Sequence, residues 1–254
     1  MPDTPDYVEK KKFFSTVLTI YGRKPVLECL TLPDAQALSL HLADSNKKAG
    51  ILDEIIGLAE KQKIDIRYHS REALSRISKN KKQDQGIALD IHPKGFQTLE
   101  DFIDGQPKNF ELIALDNITN PQNLGMIIRS ICASPMTGIL LPDKGCAKLD
   151  ALVIKASAGT LFKAKIIRCE QLPESLKRLQ RLGASTISLD LKATSSLSDL
   201  DKKQNKVFVL GNETDGVSKE VSKACDSFIK IPMSNDVESL NVAVTAGIIA
   251  FRNL

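Results

Sequence analysis

From residue 110 onward, short apolar runs alternate with amphipathic ones, and no other feature of this sequence constrains its fold as strongly. The runs at Phe110–Leu115, Gly138–Leu141, Ala164–Arg168, Thr186–Leu189, Lys206–Leu210 and Ser227–Ile231 have the length and residue types of buried strands. Helical spacing fills the intervals and the end, at Gln122–Ala133, Asp150–Ala156, Pro173–Leu182, Lys219–Cys225 and Ser239–Asn253. Strands that alternate with helices run largely parallel, in a sheet covered on both faces. The expected class is α/β. In open sheets of this kind ligands collect beyond the carboxyl ends of strands.

The first part of the chain follows a different pattern. Residues 1–16 are polar and read as a loose tail. Strands are expected at Val17–Tyr21, Leu38–Leu42, Ile64–Tyr68 and Gly86–Ile91, with helices at Ile51–Gln62 and Arg71–Ile77. Residues 17–93 thus form a small α/β domain. Residues 94–109 hold Gly95, Gly105 and Pro107 around one short amphipathic segment and read as an interdomain connection, leaving 110–254 as the larger domain.

Composition removes several classes. No apolar run approaches the roughly 18–20 residues of a membrane span, and the start has acidic residues and prolines where a secretory signal has a basic flank. The five cysteines are scattered, odd in number and never spaced C-x-x-C, so neither a disulfide framework nor a zinc site is expected. A reducing, cytoplasmic setting follows. His41, His69 and His92 have no metal-ligand partner in sequence, and no metal is expected. Residues 1–105 carry 16 basic and 16 acidic residues, and 106–254 carry 19 and 15. A mildly basic second half is compatible with a polyanionic partner but does not demand one. Arg23-Lys24 and the basic loop Lys79–Lys82 offer either a phosphate grip or solvated charge. Neither G-x-G-x-x-G, nor a P-loop, nor a G-x-S-x-G elbow is present.

Three strand-end loops hold unusual polar residues. After Leu115, Asn120 is placed to cap a helix whose first position is Pro121, with Asn123 in the first turn and Arg129 off the apolar stripe. Alone, this also describes a capped helix with a solvated arginine. After Leu210 comes Gly211-Asn212-Glu213-Thr214-Asp215-Gly216, where glycine lets a ligand approach the backbone. Alone, it also describes an ordinary glycine turn. After Ile231 come Pro232-Met233 and then Ser239-Leu240-Asn241, with Ser239 placed to cap the last helix. That helix is apolar nearly all round, as expected either for packing against another subunit or for core burial.

Together, and in this order, the segments resemble the three motifs of the SpoU (TrmH-like) class of SPOUT methyltransferases. The first is Asn120-Pro121-Gln122-Asn123-Leu124-Gly125 followed by Arg129. The second is Gly211, Glu213 and Gly216. The third is Ile231-Pro232-Met233 with Ser239-Leu240-Asn241. Lys155-Ala156-Ser157-Ala158-Gly159 is similar to the family's Lys-x-Ser-x-Gly helix end. In the first domain, Tyr21-Gly22 through Val26 and Gln85-Gly86-Ile87 resemble the small, ribosomal-protein-like substrate-binding domain that often precedes this catalytic domain. Thr214-Asp215 and Ser134-Pro135-Met136 depart from the family pattern.

The resemblance implies S-adenosylmethionine-dependent methylation of a ribose 2′-hydroxyl in RNA. It also implies a C-terminal trefoil knot and a homodimer with its site at the subunit interface. Gly211, Ile231 and Leu240, with Leu210 and Met233, are implied to hold the cofactor, largely through backbone groups. Arg129 is implied to meet the ribose, while Asn123, Glu213, Ser239 and Asn241 organise the pocket. Ribosomal RNA is the preferred target from the domain order. Transfer RNA, a non-catalytic RNA-binding protein on the same scaffold and a base methyltransferase of a related family are the alternatives.

Overall fold

The computed structural model describes residues 16–32, 35–46, 50–190, 193–200 and 205–253. The tail read at residues 1–16 lies, but for Thr16, outside the described residues. The chain divides into two compact units. One runs up to Lys94 and takes in Leu149–Ala151; the other comprises Gly95–Lys148 and Leu152–Leu254.

The first unit holds β1 (Leu18–Tyr21), α1 (Arg23–Leu30), β2 (Ala35–Ala43), α2 (Ile51–Lys61), β3 (Asp65–His69), α3 (Arg71–Ser78) and β4 (Ile87–Pro93). The sheet order is β1-β4-β2-β3. Pairing is antiparallel at β1–β4 and β2–β4, and parallel at β2–β3. On one face Leu74 of α3 packs with Ala43 and Ala88. His41 and His69, unremarkable in the sequence, meet each other here, and His41 also meets a carboxylate. His41 Nε2 lies 3.1 Å from Asp90 Oδ2, and His41 Nδ1 lies 2.9 Å from His69 Nε2. Burial pushes the Asp90 carboxyl up, but hydrogen bonds from His41 and Thr19 outweigh it and hold the group below the usual carboxylate range.

The second unit begins with β5 (Phe96–Thr98) and α4 (Leu99–Asp104), inside the stretch read as a connection. That reading is corrected. Phe96, Leu99 and Phe102 are buried, and the Thr98 hydroxyl and Asp101 carboxylate form a reciprocal cap at the start of α4. There follow β6 (Glu111–Leu115), α5 (Pro121–Cys132), β7 (Gly138–Pro142), α6 (Ala151–Ala156), β8 (Ile166–Cys169), α7 (Leu172–Arg181), β9 (Ala184–Leu189), β10 (Ser195–Ser196), β11 (Asn205–Leu210), α8 (Lys219–Lys223), β12 (Ser227–Lys230) and α9 (Val242–Ala250). The eight strands lie in the order β10-β12-β9-β11-β6-β7-β8-β5, and every pairing is parallel.

From Leu112 to Leu115 on β6 and from Lys206 to Leu210 on β11, successive residues are all buried, as a sheet covered on both faces requires. On one face Leu112, Ala114, Val207 and Val209 pack against Leu172, Leu176 and Leu179 of α7. Each such Leu or Val side chain contributes about 1.5–3 kcal/mol by leaving water. Arg252, just beyond α9, pairs with Glu111 and stacks 4.6 Å above the centre of the buried Phe208 ring. This ties the end of the chain to β6 and β11.

Strand order positions the site. In the order β12-β9-β11-β6, Val209 is in register with Ser188, Leu189 with Ile229, and Leu210 with Leu115. The segments that follow Leu115, Leu189, Leu210 and Lys230 therefore leave the sheet at the same edge.

Candidate active site

Each loop is shaped by local chemistry. Asn120 Oδ1 accepts the Gln122 N–H at 2.8 Å, and Pro121 occupies the first turn of α5, as expected. Asn123 is then buried in that turn. A Cβ on Gly125 would stand 2.4 Å from Ala156 Cβ and 2.9 Å from Ser157 N, so α5 approaches the end of α6 through bare backbone.

In the second loop a Cβ on Gly211 would come within 2.0 Å of the Gly216 carbonyl carbon and oxygen. Asn212 Oδ1 accepts the Thr214 N–H at 2.9 Å and the Asp215 N–H at 2.8 Å. The Gly216 N–H donates to Asn212 O at 3.0 Å. The family-divergent Thr214-Asp215 is thus held by an Asx-type turn rather than by glycine freedom.

In the third loop the cap assignment is corrected. Asn241, not Ser239, caps α9, its Oδ1 accepting the Ala243 N–H at 2.9 Å. Helical geometry begins only at Val242, which puts Ser239 out of capping reach.

Asn123 joins the three loops. Asn241 Nδ2 donates to Asn123 Oδ1 at 3.0 Å, and Asn123 Nδ2 donates to Glu213 Oε1. Each amide is used at both ends, which fixes its orientation and links α5, the Gly211 loop and α9 in one chain of polar contacts.

Next to this chain is a cavity of about 420 Å³, within the roughly 300–1,000 Å³ common to small-molecule sites. All five residues expected to hold a ligand line it: Leu210, Gly211, Ile231, Met233 and Leu240. Glu213 and Ser239 line it too. Asn123 and Asn241 are not in its wall and reach it through Glu213. Arg129 is exposed on α5 and lies outside the lining.

Sequence reasoning missed the wall supplied by Ser188, Leu189 and Asp190 at the end of β9. Their signal was positional, the carboxyl end of a parallel strand. Among the described residues the lining carries the carboxylates Asp190, Glu213 and Asp215 and the cation Lys230. No cysteine is in it. Burial pushes the Cys29, Cys169 and Cys225 thiols up to about 12 and Cys146 to about 11, so these four are poor nucleophiles.

The SpoU rRNA methylase family profile matches residues 111–251. The chain belongs to this family. A second profile, described as RNA 2′-O ribose methyltransferase substrate binding, matches residues 19–97. An uncharacterized tRNA/rRNA methyltransferase of Mycobacterium avium is 35% identical over 234 residues, which is 91% of this chain and 75% of the relative. A counterpart in Mycobacterium tuberculosis is 35% identical over 91% of this chain and 72% of its own length. Among solved structures, an AdoMet-bound rRNA methyltransferase from Sinorhizobium meliloti superposes with a TM-score of 0.64 at 22% identity, covering 95% of this chain and 88% of the other. The SpoU methyltransferase AviRb of Streptomyces viridochromogenes, in complex with AdoMet, gives 0.63 at 20%, covering 95% and 90%. The parallel-sheet domain has the SpoU fold.

Proposed function

We propose that this chain transfers a methyl group from S-adenosylmethionine to a ribose 2′-hydroxyl of RNA in the cytoplasm, with ribosomal RNA the preferred substrate. The observation that carries the reading is the polar chain Asn241–Asn123–Glu213, which links residues of all three SpoU motifs beside one cavity. The substrate-binding profile on the first unit and the tRNA/rRNA relatives support RNA as the acceptor.

The residues present fit the cofactor. Gly211 admits no side chain, which lets the loop backbone close on itself at Gly216 beside the cavity. Among the described residues of the wall, the Glu213 and Asp215 carboxylates suit a cationic ligand such as a sulfonium. When bound, S-adenosylmethionine supplies an electrophilic methyl group that requires in-line attack. The chain's own part is to orient and desolvate. Leu210, Ile231, Met233 and Leu240 form the apolar wall, while Asn123 and Asn241 hold Glu213 in place.

A hydroxyl needs its proton removed or polarised. Arg129 is assigned to binding rather than to proton removal, because a guanidinium presents five donors and no acceptor. It positions a phosphate of the RNA and offsets developing charge. Arg129 lies on an outward face that a second copy of the chain would complete. Met126 on α5 and Val244 and Ile248 on α9, with Phe251 just beyond, are exposed apolar side chains on two neighbouring helices. Burying them in a homodimer satisfies that surface. The reading includes the trefoil knot: after β11 the chain crosses β9 to reach β12, the kind of crossing a knotted topology uses.

The test is a calorimetric titration of S-adenosylmethionine into the protein, with sedimentation of the same sample. One cofactor per chain and the mass of two chains are expected. An absence of binding heat at millimolar cofactor would favour the non-catalytic RNA-binding alternative instead.

A further inference from the structure

The loop that leaves β11 at Gly211 ends at Ser218, and both of its ends are hydrogen-bonded to Asp116, a residue outside the three motifs. The Asp116 N–H donates to Leu210 O at 2.8 Å, where the loop begins. Asp116 Oδ2 accepts the Ser218 N–H at 2.7 Å, where it ends. The other carboxylate oxygen accepts Asn117 Nδ2 at 3.0 Å. Asp116 is buried, 7% exposed, just past the end of β6.

Between its ends the loop is braced from within, by the bonds that Asn212 accepts from the Thr214, Asp215 and Gly216 N–H groups. A segment braced in this way moves as a body about its two attachments. Ser218 O accepts the Ser222 N–H at 2.8 Å within α8, and the Ser218 side chain makes no cap there, so Asp116 Oδ2 is the side-chain attachment at this end. Glu213 rides on this loop and meets Asn123 of α5.

We propose that Asp116 is a positioning residue. It anchors both ends of the Gly211–Val217 loop, and so fixes the width of the cavity and the place of Glu213 opposite Asn123. The consequence for the methyl donor rests on the cofactor reading above; the anchoring itself does not. Asp116→Ala removes the acceptor for Ser218, whereas Asp116→Asn keeps one.

Amide hydrogen exchange of the cofactor-free protein and S-adenosylmethionine calorimetry together test this. In Asp116→Ala, amides of residues 212–218 are expected to exchange at least about tenfold faster while those of β6 and β11 keep their wild-type rates. The dissociation constant is expected to rise at least about thirtyfold, with Asp116→Asn restored to within about fivefold of wild type. Unchanged loop exchange would overturn the proposal. So would an equal acceleration in β6 and β11, which would make Asp116 a general stability residue. So would an Asp116→Asn protein as impaired as Asp116→Ala. Faster loop exchange in a protein whose wild type binds no cofactor would support the anchor and overturn only the cofactor reading.

Discussion

Replacing Arg129 by Ala is expected to lower methyl transfer to RNA by about 10²–10⁴-fold while changing the S-adenosylmethionine dissociation constant by no more than about twofold. The two halves of this expectation have separate grounds. Arg129 is exposed and absent from the cavity wall, so donor binding has no contact to lose. An arginine that positions a phosphate and meets developing charge acts on the transition state, where removing one such group costs several kcal/mol. Steady-state transfer kinetics beside calorimetry separate the two. Full activity in the variant would remove Arg129 from the mechanism. A parallel loss of cofactor affinity would place it in the donor site, against its position on α5.

Gly211→Ala is expected to abolish measurable cofactor binding, a loss of at least about 10²-fold. The new Cβ would fall 2.0 Å from the Gly216 carbonyl, which is backbone rather than a flexible side-chain end. The loop must shift to admit it. Overpacking of this kind costs about 1–3 kcal/mol or more and moves the backbone that lines the cavity. Because the damage is confined to the loop, circular dichroism is expected to show a folded protein. Calorimetry checks the binding, and wild-type affinity in the variant would mean that the loop does not hold the donor.

Much of this was legible in the sequence, for reasons that can be named. Buried parallel strands are continuous apolar runs, so β6, β7 and β11 stand out. The polar loops after them followed from the strand-end rule. α1 was missed because Gly22 gives it no side-chain cap and Pro25 in its first turn reads as a breaker, although proline is tolerated there. β5 and β10 are too short for periodicity to show. The last helix was given Ser239 as its cap because serine suits that position, yet Asn241 caps it and also reaches Asn123.

That last contact marks the limit of reading one sequence. Asn123 and Asn241 are far apart along the chain, and only the strand order β12-β9-β11-β6 brings their helices together. The wall at Ser188–Asp190 and the anchor at Asp116 were hidden for the same reason. Neither has a distinctive residue pattern, and both gain meaning from the strand beside them.

The central claim is that the three SpoU loops form one site joining a sulfonium methyl donor to a sugar hydroxyl. Incubating the protein with methyl-labelled S-adenosylmethionine and undermodified ribosomal RNA, then digesting to nucleosides for mass spectrometry, tests it most directly. The account predicts label in a 2′-O-methylated nucleoside, flanked by a phosphodiester that resists alkali. Label on a base, or RNA that stays unlabelled while the protein binds it, would contradict the account.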